Sequence, residues 1–321
     1  MIVVTGAAGF IGSCLLWKLN KEALTDIIVV DEKITPAKRR NIEGKKFRDF
    51  LDKDNFLSLV LSDKLPDTVE AIFHLGACSS TTFNDAEYFR KNNTDYSRKL
   101  AEYALRKNIR FIYASSGATY GDGSLGFSDS DETTLKLKPL NLYGNSKQTF
   151  DLWVIKNGYA DKLVGLKYFN VFGPNEYHKA DMRSLIAKAY EQVLTEKKIK
   201  LFKSHGKEYG DGESKRDFLY VKDAVEATYF FFEKRDKSGI YNVGSGRARS
   251  WNDLARAIFD SLGMAPEIEY MDMPENLRGK YQYFTEADIS KLIRAGYEKN
   301  FYTLEDGVRE YVAFLKEKRY L

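Results

Sequence analysis

The residues best suited to chemistry are a tyrosine and a lysine four positions apart, in Tyr143-Gly144-Asn145-Ser146-Lys147. On a helix that spacing puts both side chains on one face. A free phenol has a pKa of about 10 and is a poor base at neutral pH. An ammonium one turn away favours the phenolate, so the pair reads as a proton-transfer device. Ser115 and Ser116 follow the apolar run 111–114, where a hydroxyl can hydrogen-bond a reacting oxygen.

A second motif stands near the N-terminus, Ile2-Val3-Val4-Thr5-Gly6-Ala7-Ala8-Gly9-Phe10-Ile11-Gly12. It reads as a strand, a glycine-rich turn and a helix start. Gly6, Gly9 and Gly12 let the backbone approach a pyrophosphate, which the helix N-terminus then meets with free N–H groups and partial positive charge. Asp31 ends the next apolar run, where an acid usually accepts from an adenosine ribose 2′-hydroxyl and favours NAD. Lys33, Lys38, Arg39 and Arg40 follow closely. They can neutralise a 2′-phosphate and reverse that preference, so these residues leave NAD and NADP both open. The two motifs together predict a protein that binds a nicotinamide dinucleotide and moves a proton beside it.

The elements that must position these groups alternate along the first 115 residues. Strands are expected at Ile2–Thr5, Ile27–Asp31, Ala71–His74 and 110–114, and helices at 12–20 and 87–108. This alternation predicts an α/β, Rossmann-type doubly wound parallel sheet with ligands at the strand C-terminal ends. Residues 122–140 read as a loop, 163–170 as a strand, 182–197 as a helix and 203–216 as a polar stretch. We expect residues 1–169 to form the dinucleotide-binding domain and 170–321 mainly a smaller α/β substrate lobe, with about 217–245 returning to the sheet.

Composition narrows the classes. A net charge of +4, from 50 basic and 46 acidic residues, argues against nucleic-acid binding as the main role, while leaving room for a local anion site. Cys14 and Cys78 form no CxxC, and His74, His178 and His205 are scattered, so neither a disulfide framework nor a metal site is expected. No apolar run reaches the roughly 18 residues that span a membrane, and Met1 leads straight into a strand, so a cytoplasmic location is the default expectation.

These pieces resemble the extended short-chain dehydrogenase/reductase family, the NAD-dependent epimerases and dehydratases that act on nucleotide sugars. The resemblance covers nearly the whole chain. It includes Ala114-Ser115-Ser116-Gly117-Ala118-Thr119-Tyr120-Gly121, Tyr168-Phe169-Asn170-Val171-Phe172-Gly173-Pro174 and Arg216-Asp217-Phe218-Leu219-Tyr220-Val221-Lys222-Asp223. Three further segments are similar to the branch that epimerises an ADP-linked heptose for lipopolysaccharide core synthesis. They are Ile72-Phe73-His74-Leu75-Gly76-Ala77-Cys78-Ser79-Ser80-Thr81-Thr82, His178-Lys179 and Gly279-Lys280-Tyr281-Gln282-Tyr283-Phe284-Thr285.

The resemblance implies a tightly held NADP that is not consumed, and oxidation of C6″ to a ketone that is reduced again on its other face. It assigns the acid/base roles to Tyr143 and Lys179, with Lys147 and Ser116 in support. It implies cofactor contacts from Phe10, Ile11, Asp31, Glu32, Lys38, Lys53, Leu75, Gly76, Ala77, Cys78, Ser79, Asn92, Lys147, Val171 and Lys179. Substrate contacts would come from Ser116, Asn170, Asp181, Lys188, Phe202, Lys203, Ser204, His205, Arg216 and Tyr281. Arg216 suits a diphosphate, because guanidinium meets phosphate oxygens as a fork. A homo-oligomer, such as a homopentamer, is also implied. The sequence departs from the family pattern at Leu75, Asp181 and Lys188 and in the longer stretch 203–214. The alternatives are another sugar-nucleotide epimerase, a dehydratase, a plain dehydrogenase that releases reduced cofactor, and a non-catalytic dinucleotide sensor. Ser116-Gly117-Ala118-Thr119 lacks the Asp-Glu pair that a dehydratase would want. Retention of Tyr143, Lys147 and Ser116 argues against the sensor.

Overall fold

The computed structural model describes residues 1–32, 34–206, 208–278 and 281–321. Lys33, Gly279 and Lys280 lie outside the described residues. The N-terminal half runs β1 (Ile2–Thr5), α1 (Phe10–Lys21), β2 (Ile27–Asp31), α2 (Pro36–Ile42), β3 (Asp49–Asp52), α3 (Lys53–Leu61), β4 (Ala71–His74), α4 (Ala86–Phe89), α5 (Tyr96–Lys107), β5 (Arg110–Ser116), α6 (Asp131–Thr134) and α7 (Leu142–Lys156). There follow β6 (Val164–Tyr168), β7 (Asn170–Phe172), α8 (Leu185–Glu196), β8 (Ile199–Phe202), β9 (Lys215–Tyr220), α9 (Val221–Glu233), β10 (Gly239–Val243) and β11 (Ala248–Ser250). The chain ends with α10 (Trp251–Leu262), β12 (Ile268–Met271), α11 (Glu275–Arg278), α12 (Ser290–Arg294) and α13 (Leu304–Glu317).

The buried runs of β1, β2 and β4 can only be interior strands of a sheet covered on both faces. They lie in a seven-stranded parallel sheet of order β10-β6-β5-β4-β1-β2-β3. Alternate residues feed opposite layers. Ile2 and Val4 pack with Cys14 and Leu16 of α1, while Val3 joins Leu100, Phe111 and Phe150 on the other face. Successive strands build outward in opposite directions from β1, so the loops after β1 and β4 diverge and leave a crevice at the strand C-terminal ends.

The structure revises several expected elements. The first helix begins at Phe10 rather than residue 12, because Gly9 takes the extended N-cap conformation. The expected helix 87–108 consists of α4 and α5 joined by a wide π turn, Arg90–Asp95. β3 is an edge strand that was not anticipated; its sequence Asp-Phe-Leu-Asp carries no apolar run, and its pairing comes from β2. The expected loop 122–140 contains α6, capped by the Ser130 hydroxyl. The expected strand 163–170 divides at Phe169 into β6, which stays in the main sheet, and β7, which pairs with β9 in a three-stranded sheet completed by β11. β10 pairs with β6 at the edge of the main sheet, and β8 pairs with β12. Among the described residues, no helix is long and apolar enough to cross a membrane.

Candidate active site

The loops leaving β1, β2, β4, β5 and β6 enclose a cavity of about 580 Å³. Its floor is the glycine turn. Gly6 has φ +67° and lies against the β4 loop, where an added Cβ would sit 2.6 Å from the Gly76 backbone. A Cβ on Gly12 would meet the Gly6 carbonyl oxygen at 2.1 Å, so that glycine sets how closely α1 approaches the turn. No side chain caps α1 and its first turn has no acid, so the N–H groups of a buried helix terminus need an outside acceptor. Gly9, Phe10, Ile11 and Gly12 line the cavity at that point. This is a fit for a pyrophosphate.

At the β2 end, Asp31 is buried and already engaged. Its Oδ2 accepts from the Ala8 N–H at 2.9 Å, and its Oδ1 accepts from Lys38 Nζ at 3.0 Å. Lys38 and Lys53 each lie 3.7 Å from Glu32, and Lys53 Nζ also donates to Asn92 Oδ1 at 3.0 Å. Two ammonium groups therefore offset the two carboxylates where the ribose of a bound adenosine belongs.

The opposite end carries the tyrosine–lysine pair. Asn141 caps α7 by accepting from the Gly144 N–H, so Tyr143 falls in the first turn and Lys147 one turn later. Lys147 Nζ donates to the Ala114 carbonyl of β5 at 2.7 Å. Burial lowers its pKa from 10.5 to about 8, against the opposing pull of Asp151. Burial raises the half-buried Tyr143 phenol above its ordinary value, and the Ser116 hydroxyl beside it works the other way. A neutral phenol, a mostly protonated amine and a serine hydroxyl thus share one cavity wall at pH 7.

Lys179 reaches the same cavity from a 3-10 segment, Tyr177–Met182, beyond β7. Its Nζ stands 5.3 Å over the Phe10 ring. Burial lowers its pKa and Glu176 opposes the shift. His178, its neighbour, shares an Nδ1 hydrogen bond of 3.1 Å with the Asn41 amide, which also donates to the Ala8 carbonyl at 2.9 Å. Burial, Lys38 and Lys179 push the His178 pKa down to about 4, so that ring is neutral and accepts from Asn41.

The three glycines, the cofactor residues implied by the resemblance, and Tyr143, Lys147, Ser116 and Lys179 line this one cavity, whereas Arg39 and Arg40, further candidates to meet a 2′-phosphate, do not. The other predicted substrate residues stand off it. Asn170 and Asp181 lie one position from the lining residues Val171 and Met182, and Lys188 reaches only the Asp181 carbonyl, at 3.3 Å. Phe202 ends β8, Lys203 lies 3.5 Å from Asp272, and the Ser204 N–H donates to Asp211. His205 follows in the same loop. Arg216 is held between the rings of Trp251 and Tyr281, at 5.6 and 5.1 Å, and donates to backbone carbonyls rather than to Asp217. Asp217 instead accepts from Ser245, Gly246 and Ala287. The structure thus gives two clusters, the cleft at the strand ends and an aromatic-flanked arginine on the smaller sheet.

The sequence reading missed Thr5, Tyr88, Tyr96, Phe169, His178 and Met182 in the cavity wall, and Asn41 behind it. The only advance signal was adjacency: Thr5, Phe169 and His178 sit within quoted motifs.

The NAD dependent epimerase/dehydratase family matches residues 2–244. The chain is 52% identical to the ADP-L-glycero-D-manno-heptose-6-epimerase of Nitratidesulfovibrio vulgaris, over 100% of this chain and 98% of the relative. Its fold is similar to the crystal structure of the Helicobacter pylori ADP-L-glycero-D-manno-heptose-6-epimerase, with a TM-score of 0.82, 30% identity, and coverage of 98% of this chain and 96% of that one. It is also similar to the Bacillus cereus UDP-glucuronic acid 4-epimerase in complex with UDP-glucuronic acid and NAD, with a TM-score of 0.78, 26% identity and 99% of both chains covered. Cavity, motifs and full-length similarity agree, and the chain belongs to the NAD dependent epimerase/dehydratase family.

Proposed function

We propose that this chain is an isomerase that interconverts ADP-D-glycero-β-D-manno-heptose and ADP-L-glycero-β-D-manno-heptose by inverting C6″, a step toward the heptose of the lipopolysaccharide core. The observation that supports it best is the convergence of Tyr143, Lys147 and Lys179 on the cavity that holds the glycine turn. Full-length similarity to ADP-heptose epimerases supports the choice of substrate.

A nicotinamide dinucleotide held by the glycine turn would supply reversible hydride transfer. The chain supplies the proton chemistry. Tyr143, beside Ser116, serves the C6″ oxygen, and the Lys147 ammonium favours the phenolate form. Lys179 serves the ketone when it presents its other face. Gly6, Gly9, Gly12 and the first turn of α1 hold the pyrophosphate, while Leu75, Gly76, Ala77, Cys78, Ser79 and Val171 wall in the rest. We assign NADP over NAD because Lys38 and Lys53 offset Asp31 and Glu32. Asn170, Asp181, Lys188, residues 202–205, Arg216 and Tyr281 are assigned to the ADP-sugar, and a division into 1–169 with about 217–245, and mainly 170–321, goes with that assignment. A homo-oligomer, with a pentamer as one form, and a cytoplasmic location rest on the family resemblance.

The test is to incubate the purified protein with ADP-D-glycero-D-manno-heptose, adding no cofactor, and to follow C6″ by NMR. An equilibrium mixture of epimers without net NADPH is expected. Release of reduced cofactor would indicate a plain dehydrogenase. No conversion by protein shown to carry cofactor would move the substrate to another sugar nucleotide.

A further inference from the structure

Behind the tyrosine–lysine wall lies an ion pair that the proposed chemistry does not use. Asp151 and Lys167 meet at 2.9 Å with both side chains wholly buried, and among the described residues no other ion pair is so enclosed. Asp151 lies on α7, one turn past Lys147 and two past Tyr143. Its Oδ1 accepts from the Tyr113 hydroxyl at 2.9 Å and its Oδ2 from the Ser115 hydroxyl at 2.6 Å. Both partners flank Ala114 on β5, whose carbonyl holds Lys147. Lys167, on β6, also donates to the Thr119 hydroxyl at 2.8 Å. Thr119 in turn donates to the Ser116 carbonyl at 2.8 Å. The network therefore runs from α7 through β5 and β6 back to Ser116.

A buried ion pair is a poor device for stability. Removing two charges from water costs about as much as their attraction returns, and apolar residues of like volume often serve as well. What this pair does provide is register. One carboxylate with three donors fixes how α7 is rotated and set against β5, which decides whether Tyr143 faces Ser116. The other titratable groups turned toward this region are His74 from β4, Cys78 from the loop after it, Tyr113, Tyr120, Lys167 and Asp131 of α6. Asp151 is the group whose field acts on the Lys147 ammonium.

We propose that Asp151 is a positioning residue, which sets α7 against β5 so that Tyr143 and Lys147 meet Ser116. This rests on Tyr143 and Lys147 being the proton-transfer pair. The pH sign follows from the opposed effects on Lys147. Burial pulls its pKa down and Asp151 holds it up, so loss of Asp151 lets the amine lose its proton at lower pH, and the alkaline limb of turnover moves down.

The variants are Asp151→Asn, which leaves Lys167 buried and unpaired, and Asp151→Asn with Lys167→Met, which removes that charge so that folding is preserved. For the double variant we expect retained cofactor, an alkaline limb of kcat about one pH unit lower and kcat at pH 8 down about tenfold, with little change in KM. A folded double variant with the wild-type pH profile and kcat would overturn the proposal. Lys147→Met separates this from the underlying reading. Near-normal turnover in Lys147→Met would reject the proton-transfer pair itself, whereas its inactivity beside an unshifted Asp151 variant rejects only the positioning role.

Discussion

The two groups proposed to handle protons are mounted in different ways. Tyr143 rides the capped first turn of a 15-residue helix, with Lys147 one turn on and tied to β5. Lys179 sits in a six-residue 3-10 segment whose next residue, Ala180, has φ +45° and ψ −122°. A non-glycine residue there carries backbone strain of roughly 1–3 kcal/mol, so surrounding contacts must hold it. Those contacts come from several elements. Asn41 of α2 binds His178, and buried Glu176 accepts from the Ser184 N–H at 2.6 Å and also from its hydroxyl. Tyr177 donates to the Arg319 carbonyl at 2.9 Å. One base is placed by helix register, the other by a convergence of distant residues. The first should tolerate change in its neighbours poorly and the second should degrade by degrees.

The largest effect is expected from removing both groups. Tyr143→Phe with Lys179→Met should abolish epimerisation while bound cofactor, measured by absorbance after denaturation, stays at wild-type levels. Full activity would sink the two-base assignment. Lys147→Met should lower kcat by 100-fold or more, yet leave the protein no less stable at pH 7. The sign is definite. The folded pKa, about 8, lies below the ordinary 10.5, so the folded state binds fewer protons between those values and stability rises with pH across that window. Below pH 8 the buried ammonium is a full penalty. Its removal, less the hydrogen bond lost by the Ala114 carbonyl, should gain about 1–2 kcal/mol at pH 7. Urea melts at pH 7 and 9 would show the gain at pH 7 and its shrinkage by pH 9. The readout is the difference from the wild type at each pH, because burial also lowers Lys45 to about 8 while raised Cys14 and buried tyrosines such as Tyr96 and Tyr168 work in the opposite sense.

The same contrast explains what the sequence could disclose. Tyr143 and Lys147 are legible because helix periodicity alone brings residues four apart together, and Gly6, Gly9 and Gly12 because close backbone approach demands glycine. Lys179 had no such local rule and entered only through resemblance. Asn41 and Asp151 were invisible, since a single polar residue among apolar ones looks the same whether it faces water or closes a buried network. β3 was missed because an edge strand with aspartates at both ends borrows its structure from β2. Lys53 follows it directly, so its place in the cavity depends on that borrowed strand rather than on any local pattern. The π turn at Arg90–Asp95 is equally silent in the pattern, yet it brings Asn93 to the Cys78 backbone, where its side chain donates and accepts at 2.9 Å.

A smaller effect should follow from cutting one tie of the Lys179 segment. Asn41→Ala leaves the Ala8 carbonyl and His178 without their donor, which should destabilise the fold by about 2 kcal/mol. Turnover should fall several-fold while the alkaline limb, set on the Tyr143 side, stays in place. A shifted limb would mean that the two mounts are coupled rather than independent.

The smallest effect is the most diagnostic of that contrast. Glycine adopts φ +45° without the penalty that a Cβ imposes, so Ala180→Gly relieves strain in the folded state. It also adds freedom to the unfolded chain, which works against stability by roughly 0.5–1 kcal/mol. The strain is the larger of the two, so a net gain near 1 kcal/mol in urea unfolding is expected. The turn would at the same time be less restricted, and a modest loss of kcat, about two-fold, should accompany the gain. Higher stability together with lower turnover would show that Lys179 is held by strain its neighbours enforce. A loss of stability would place Ala180 outside the positive-φ region and remove strain from the account of how Lys179 is held.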